Sequence, residues 1–374
     1  MANEPSNKTM QNCSMEDTST GELTMKTVLQ MKIVLLICVA FTLVVTVAQA
    51  QAPRVGTSAA SELLIPVGAR DLAIGGASIA TTLGVESIYW NPGGLGRMTE
   101  SAEGMFSYMS YIADIGVSYG AVAARFGEFG TVGLSVKSIG IGEIPMTTAD
   151  DPENESGRYF SPVYFVLGLS YGRQLTDNIG AGITAKVISE TIDQVAANGF
   201  AFDIGIQYHN LASLSGLALG VTIKNIGPQM QFDGAGLLHD AITTDGSRPV
   251  QPYSSVAASF ELPSLVEVGL GYSAPVQNDM QWSLNTSFTN NNLYLDEYRV
   301  GGEFGYMFSG GGLFGRAGYS FLSDTQEGDQ QVFGATFGVG INYQTEGTKI
   351  TLDYAYRSAK FFDGNNVISV KLGF

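Results

Sequence analysis

From about residue 100 to the last residue, apolar side chains alternate one by one with small or polar ones, in segments of about ten residues broken by Gly, Asn, Asp and Ser. A period of two belongs to a β-strand, whose successive side chains point to opposite faces. In the clearest stretch Phe333, Ala335, Phe337, Val339, Ile341 and Tyr343 share one face, and Gly334, Thr336, Gly338, Gly340 and Asn342 share the other. Ile350, Leu352, Tyr354 and Tyr356 repeat the division, as do Phe202, Ile204, Ile206 and Tyr208. Further strands are expected near 103–109, 116–126, 130–139, 161–172, 179–189, 216–225, 253–260, 265–273, 280–288, 298–308, 313–320 and 366–374, fifteen segments in all. A tilted membrane strand needs ~9–11 residues, and bacterial single-chain barrels close with an even number of strands. At least one segment or boundary is therefore misplaced, and the count is 14 or 16.

Alternation alone also fits a soluble two-sheet sandwich, so the chemistry of the second face decides. Here that face carries Gly, Ser, Thr and Asn with single charges such as Lys186, Lys224, Glu267 and Glu303, which suits a crowded lumen. Charged residues are 14% of the chain, against ~25% in an average soluble domain. Tyr119, Tyr171, Tyr208, Tyr272, Tyr306, Tyr319, Tyr343 and Tyr356 stand toward strand ends, as an interfacial girdle would. In Ile368, Val370, Leu372 and Phe374 the apolar face runs to the final residue, which resembles the terminal signal read by the barrel-assembly machinery. The net charge of -16 argues against a nucleic-acid partner, whose phosphate contacts would require basic patches.

The N-terminal part reads differently. Lysines precede an apolar run from Ile33 to Ala48 and then Gln49-Ala50, the pattern of a secretory signal over 25–50, with 1–24 a non-structural extension. Cleavage removes Cys13 and Cys38, leaving an exported chain without thiols. Residues 51–100 hold too much Gly and Pro for a long helix or a regular strand, and are expected to form a hatch inside a barrel of residues 101–374.

Leu64-Ile65-Pro66-Val67-Gly68-Ala69-Arg70, then Leu72-Ala73-Ile74-Gly75-Gly76-Ala77, then Ser87-Ile88-Tyr89-Trp90-Asn91-Pro92-Gly93-Gly94-Leu95 resemble the hatch signatures of the PorV/PorQ family, itself related to the FadL-like transporters. Gly93 stands where the family's Trp-Asn-Pro-Ala-Gly-Leu form has Ala. The resemblance implies the lower of the two counts, 14 strands, in a multi-pass protein in the outer membrane of a diderm bacterium, surrounded by its lipid. It further implies docking or shuttling of exported proteins, as in type IX secretion. The alternatives are FadL-like transport of a long-chain hydrophobic ligand, or support of a surface assembly.

Candidate gating residues are Arg70, Gly75, Gly76, Trp90, Asn91, Pro92, Gly93 and Gly94. A plain turn, with Asn91 capping backbone groups and Pro92 fixing φ, accounts for the Asn-Pro-Gly-Gly run equally well. A buried Arg70 requires a carboxylate such as Glu62 or Glu303. Asp150, Asp151, Glu153 and Glu155 lack the ligand spacing of a calcium loop and read as a solvated connection, so no metal and no cofactor is expected. The two histidines, His209 and His239, have neither a nucleophile motif nor metal spacing beside them, which argues against an enzyme.

Overall fold

A computed structural model describes residues 60–241, 250–275, 279–322 and 331–374. The extension, the signal and the first residues of the expected hatch, through 59, lie outside the described residues. Fourteen antiparallel strands form one sheet that closes on itself. They are β1 (Ala102–Ser110), β2 (Gly116–Arg125), β3 (Thr131–Gly140), β4 (Val163–Thr176), β5 (Ile179–Ile192), β6 (Val195–His209) and β7 (Leu217–Ile226). The circuit continues with β8 (Leu265–Pro275), β9 (Met280–Asn291), β10 (Glu297–Phe308), β11 (Gly311–Leu322), β12 (Phe333–Thr345), β13 (Thr348–Ala359) and β14 (Asn365–Gly373). Each pairs with its sequence neighbour, and β14 pairs with β1, Phe106 opposite Val370, to shut the ring.

The surplus segment of the sequence reading is 253–260. It falls in the connection between β7 and β8, where Gln251–Ser254 pairs with Leu238–Ala241 and Ser259–Phe260 pairs with Met230–Asp233. Pro252 and the short runs around it cannot supply a wall strand, and only Met230–Asp233 reaches the wall, through β6. A further small ribbon, Ile144–Pro145 with Tyr159–Phe160, lies in the β3–β4 connection. The connections after β3, β7 and β11 are the long ones, and they share one end of the barrel. Short turns occupy the other end, which in outer-membrane barrels faces the periplasm.

The apolar residues of the alternation face outward: Phe106, Val122, Leu169 and Val339 are 55–61% exposed, where only lipid can cover them. Tyr272, Tyr306, Tyr319, Tyr343 and Tyr356 join them, but Tyr119 does not. It points inward and is buried, because on β2 the inward face is the apolar one, Val117, Tyr119, Ala121 and Ala123.

The core lies between the inner wall and residues 60–98, a series of single helical turns within the ring. Ala60 and Leu63 pack on Val166, Ile188, Met230 and Leu262. Val67, Val85, Ile88 and Leu95 meet Met105 and Tyr119, and Ala69, Leu72 and Ala73 meet Met109, Ile139 and Val367. Inward glycines allow this approach. A β-carbon on Gly301 would stand 2.1 Å from the Ile74 carbonyl oxygen, and one on Gly318 2.2 Å from the Gly75 nitrogen.

Candidate functional site

The N-terminal segment is seated by side chains aimed at its backbone. Asn91 accepts from the Gly93 N–H (3.0 Å) and donates to the carbonyls of Ile79 (2.8 Å) and Ile206 (3.2 Å), so it caps one turn and ties that turn to β6. Pro92 opens the turn Pro92–Arg97, at a position where the missing N–H costs nothing. Gly93 and Gly94 sit where a β-carbon would press on β6 and on the Thr82 carbonyl oxygen. Gly75 and Gly76 turn the chain at φ 71° and 72°, a left-handed conformation open to glycine, and a side chain on Gly76 would collide with the Trp90 ring. Trp90 itself is buried and donates from Nε1 to the Val67 carbonyl (3.1 Å). Asn91 thus makes the cap expected from the sequence and adds a tie to the wall.

Arg70 meets Glu303 on β10 (Nε to Oε2, 3.4 Å), and of the two carboxylates named from the sequence this is the one in reach. Glu303 also takes Arg316 of β11 (2.5 Å), and Arg316 continues to Asp353 of β13 (2.6 Å). Nearby, Lys371 of β14 pairs with Glu86 (2.7 Å), and Glu103 of β1 accepts from the Val85 N–H (2.8 Å). An ion-pair chain through Arg70 therefore joins the segment to β10, β11 and β13, and separate contacts of Glu86 and Val85 join it to β14 and β1. Glu303 raises the Arg70 pKa, so the guanidinium stays charged. Burial, with the Glu86 charge adding to it, pushes the Asp71 carboxyl up to about 6. Glu62 is the extreme case: burial and then the Glu190 charge push it up to about 8.

Toward the end with the long connections, the segment leaves a cavity of about 350 Å³ against β7 to β13. Its walls mix Leu64, Tyr89, Trp90, Leu265 and Phe333 with Lys224, Glu267, Glu297, Arg299 and Arg357. Glu267 holds Lys224 (2.8 Å) and Arg299 (3.0 Å), Arg299 holds Glu297 (2.6 Å), and the Arg357 guanidinium lies 3.7 Å from the centre of the Phe333 ring. Beside this cavity lies the loop end of the β11–β12 hairpin. The β11–β12 ladder stops at Tyr319–Ala335, and β12 is irregular against β13 between Phe333 and Thr336. The Gln331 amide spans the break, donating to the carbonyls of Ser320 (2.6 Å) and Phe333 (3.0 Å).

The remaining candidates lie apart. Asp150, Asp151, Glu153 and Glu155 occupy the β3–β4 connection, where the Asp151 carboxylate accepts from the Glu155 and Ser156 N–H groups (2.6 and 3.1 Å). Among the described residues no three His, Cys, Asp or Glu side chains are grouped to hold a metal. Ile368, Val370 and Leu372 face outward on β14, and the Phe374 carbonyl accepts from the Ser101 N–H (2.7 Å) where the ring closes. Lys137, Arg299, Arg316, Asp353 and Lys371 were not singled out from the sequence. Their signal was a lone charge inside an alternating run, as in Lys371 between Val370 and Leu372.

With the ring and its filled lumen in place, the family follows from one comparison. The model of the family described as "Type IX secretion system protein PorV" matches residues 47–245, more than half of the chain. The chain belongs to the PorV family. As a PorV-family barrel it is a multi-pass outer-membrane protein and not an enzyme. No curated protein matches it. Among solved structures it is similar to the CymD monoaromatic hydrocarbon channel, at 13% identity and a TM-score of 0.53 over 83% of this chain and 98% of that one. The toluene transporter TodX of P. putida gives 13% and 0.52 over 82% and 98%, and TbuX of Ralstonia pickettii 12% and 0.52 over 82% and 98%. At such identities the likeness is one of fold.

Proposed function

We propose that this PorV-family barrel binds an elongated apolar molecule from the external side and releases it sideways into the membrane, the N-terminal segment acting as a hatch that bars the direct path. The observation that carries this reading is the position of the 350 Å³ cavity against the break between β11 and β12. Transfer of an apolar chain from water to cavity and from cavity to lipid needs no chemical step, since removal from water supplies the direction at ~25 cal/mol per Å². The hydrocarbon and toluene channels of the same fold add weight to it.

Trp90 lines the cavity and Trp282, the other tryptophan, faces outward, so a Trp282→Phe protein reports on the cavity alone. A brominated long-chain alkane is expected to quench Trp90 emission saturably. Quenching that merely rises in proportion to added alkane would overturn the reading. A second reading, docking of exported proteins, is favoured by the ribbon of Leu238–Ala241 and Gln251–Ser254, which is exposed throughout and offers strand edges to an extended partner. Substituting Pro for His239 in that ribbon should then abolish capture of an exported protein and leave alkane quenching intact.

A further inference from the structure

A second, smaller void of about 40 Å³ lies on the other flank of the N-terminal segment, between Tyr89 and strands β2 to β7. It has room for one small ion or water and little more. Three lysines line it, Lys137 of β3, Lys186 of β5 and Lys224 of β7, against one lining carboxylate, Asp203 of β6. Lys186 is neutralised by Asp203 (2.7 Å) and Lys224 by Glu267 (2.8 Å). Among the described residues Lys137 has no carboxylate within ion-pair distance, although the Glu62 carboxyl lies near enough to feel its charge. It donates instead to the backbone carbonyls of Glu62 (2.6 Å) and Ile65 (2.5 Å), which leaves one of its three ammonium protons unassigned. The ammonium groups of Lys137 and Lys224 also flank one ring, at 5.1 and 5.0 Å from the centre of Tyr89. Tyr119 is 3% exposed and lines the same void beside Ser135, and among the described residues its hydroxyl meets no partner at hydrogen-bond geometry.

Like charges gathered in a buried space repel strongly, and an unpaired buried ammonium is costly unless a counter-charge or several dipoles meet it. The carbonyl oxygens supply dipoles but no charge. We propose that this void is a binding site for a single monatomic anion, chloride in a saline medium. The ion accepts from the free proton of Lys137 and from the Tyr119 hydroxyl and offsets the surplus positive charge. Because Lys137 simultaneously grips the Glu62 and Ile65 carbonyls, the ion also fastens the start of the N-terminal segment to the wall. Seating of the segment is thereby linked to halide concentration.

The test uses the intact barrel crystallised in sodium bromide, with data collected at the bromine absorption edge. An anomalous peak in the void between Tyr119, Lys137 and Tyr89 is expected, and density there without anomalous signal, a water, would overturn the proposal. In solution, the melting temperature should rise saturably with chloride or bromide and not with sulfate at equal ionic strength. A bromide peak without that saturable rise, an adventitious ion only, would equally overturn it. Tyr119→Phe removes one donor and should weaken the halide effect by about tenfold. Lys137→Met should abolish it, and where that protein does not fold the tyrosine variant still decides, since an unchanged halide response in Tyr119→Phe contradicts the site.

Discussion

The wall and the N-terminal segment are built on different principles. Each wall strand is held by a ladder of backbone hydrogen bonds that any alternating sequence can make, so Phe337 or Leu352 need only be apolar and outward. Residues 60–98 have no ladder. They are single turns fixed by particular groups, Asn91 on the Gly93 N–H, Lys137 on the Glu62 carbonyl, Arg70 on Glu303, and glycines that let the two backbones meet. The wall therefore tolerates substitution within a type, whereas the segment depends on identity. The second kind of construction suits the proposed hatch, which would have to be stable yet displaceable.

Removing the hub of the charge set should separate the two regions most clearly. Arg316→Ala leaves Asp353 without a cation and Glu303 with Arg70 alone, at a cost of ~3–5 kcal/mol, and should leave the segment open to protease while the ring still resists unfolding in detergent. Val339→Lys strikes the wall alone. A cation at mid-strand on the lipid face costs ~2–4 kcal/mol, and here the melting temperature should fall without any change in protection of the segment. Gly301→Val sets a side chain against Ile74 and should cost ~1–3 kcal/mol, again seen as protease access to residues 60–98.

The same contrast decides what could be read in advance. The strands of the closed ring were legible because lipid outside and a crowded lumen inside impose period two on every one of them. Residues 253–260 misled because exposed ribbon strands in a long connection carry the same local signal without touching the lipid. Tyr119 misled because β2 inverts the pattern, its apolar face turned toward Ile88 and Val67. For the segment, the Gly, Pro and Asn residues announced turns, but the partners of those turns sit up to some 300 positions away, as with the Ala69 N–H on the Ser369 hydroxyl, and no local pattern encodes them.

pH separates the two regions as well. Glu62, pushed up to about 8 from an ordinary 4.5, binds its proton more tightly folded than unfolded, so its stabilising contribution is complete below pH 4.5 and is lost as pH rises toward 8. Thermal melts across that window should show a decline in segment protection that Glu62→Gln flattens, with the wall transition unmoved.

The most direct measurement is a density map of the protein taken gently from its native outer membrane, with mass spectrometry of the same sample. The account predicts an elongated density in the cavity beside Trp90, leading toward Gln331 and the break between β11 and β12, with an apolar molecule in the extract. An empty cavity under a stoichiometric protein seated on the Leu238–Ala241 ribbon would contradict it and give docking the stronger claim.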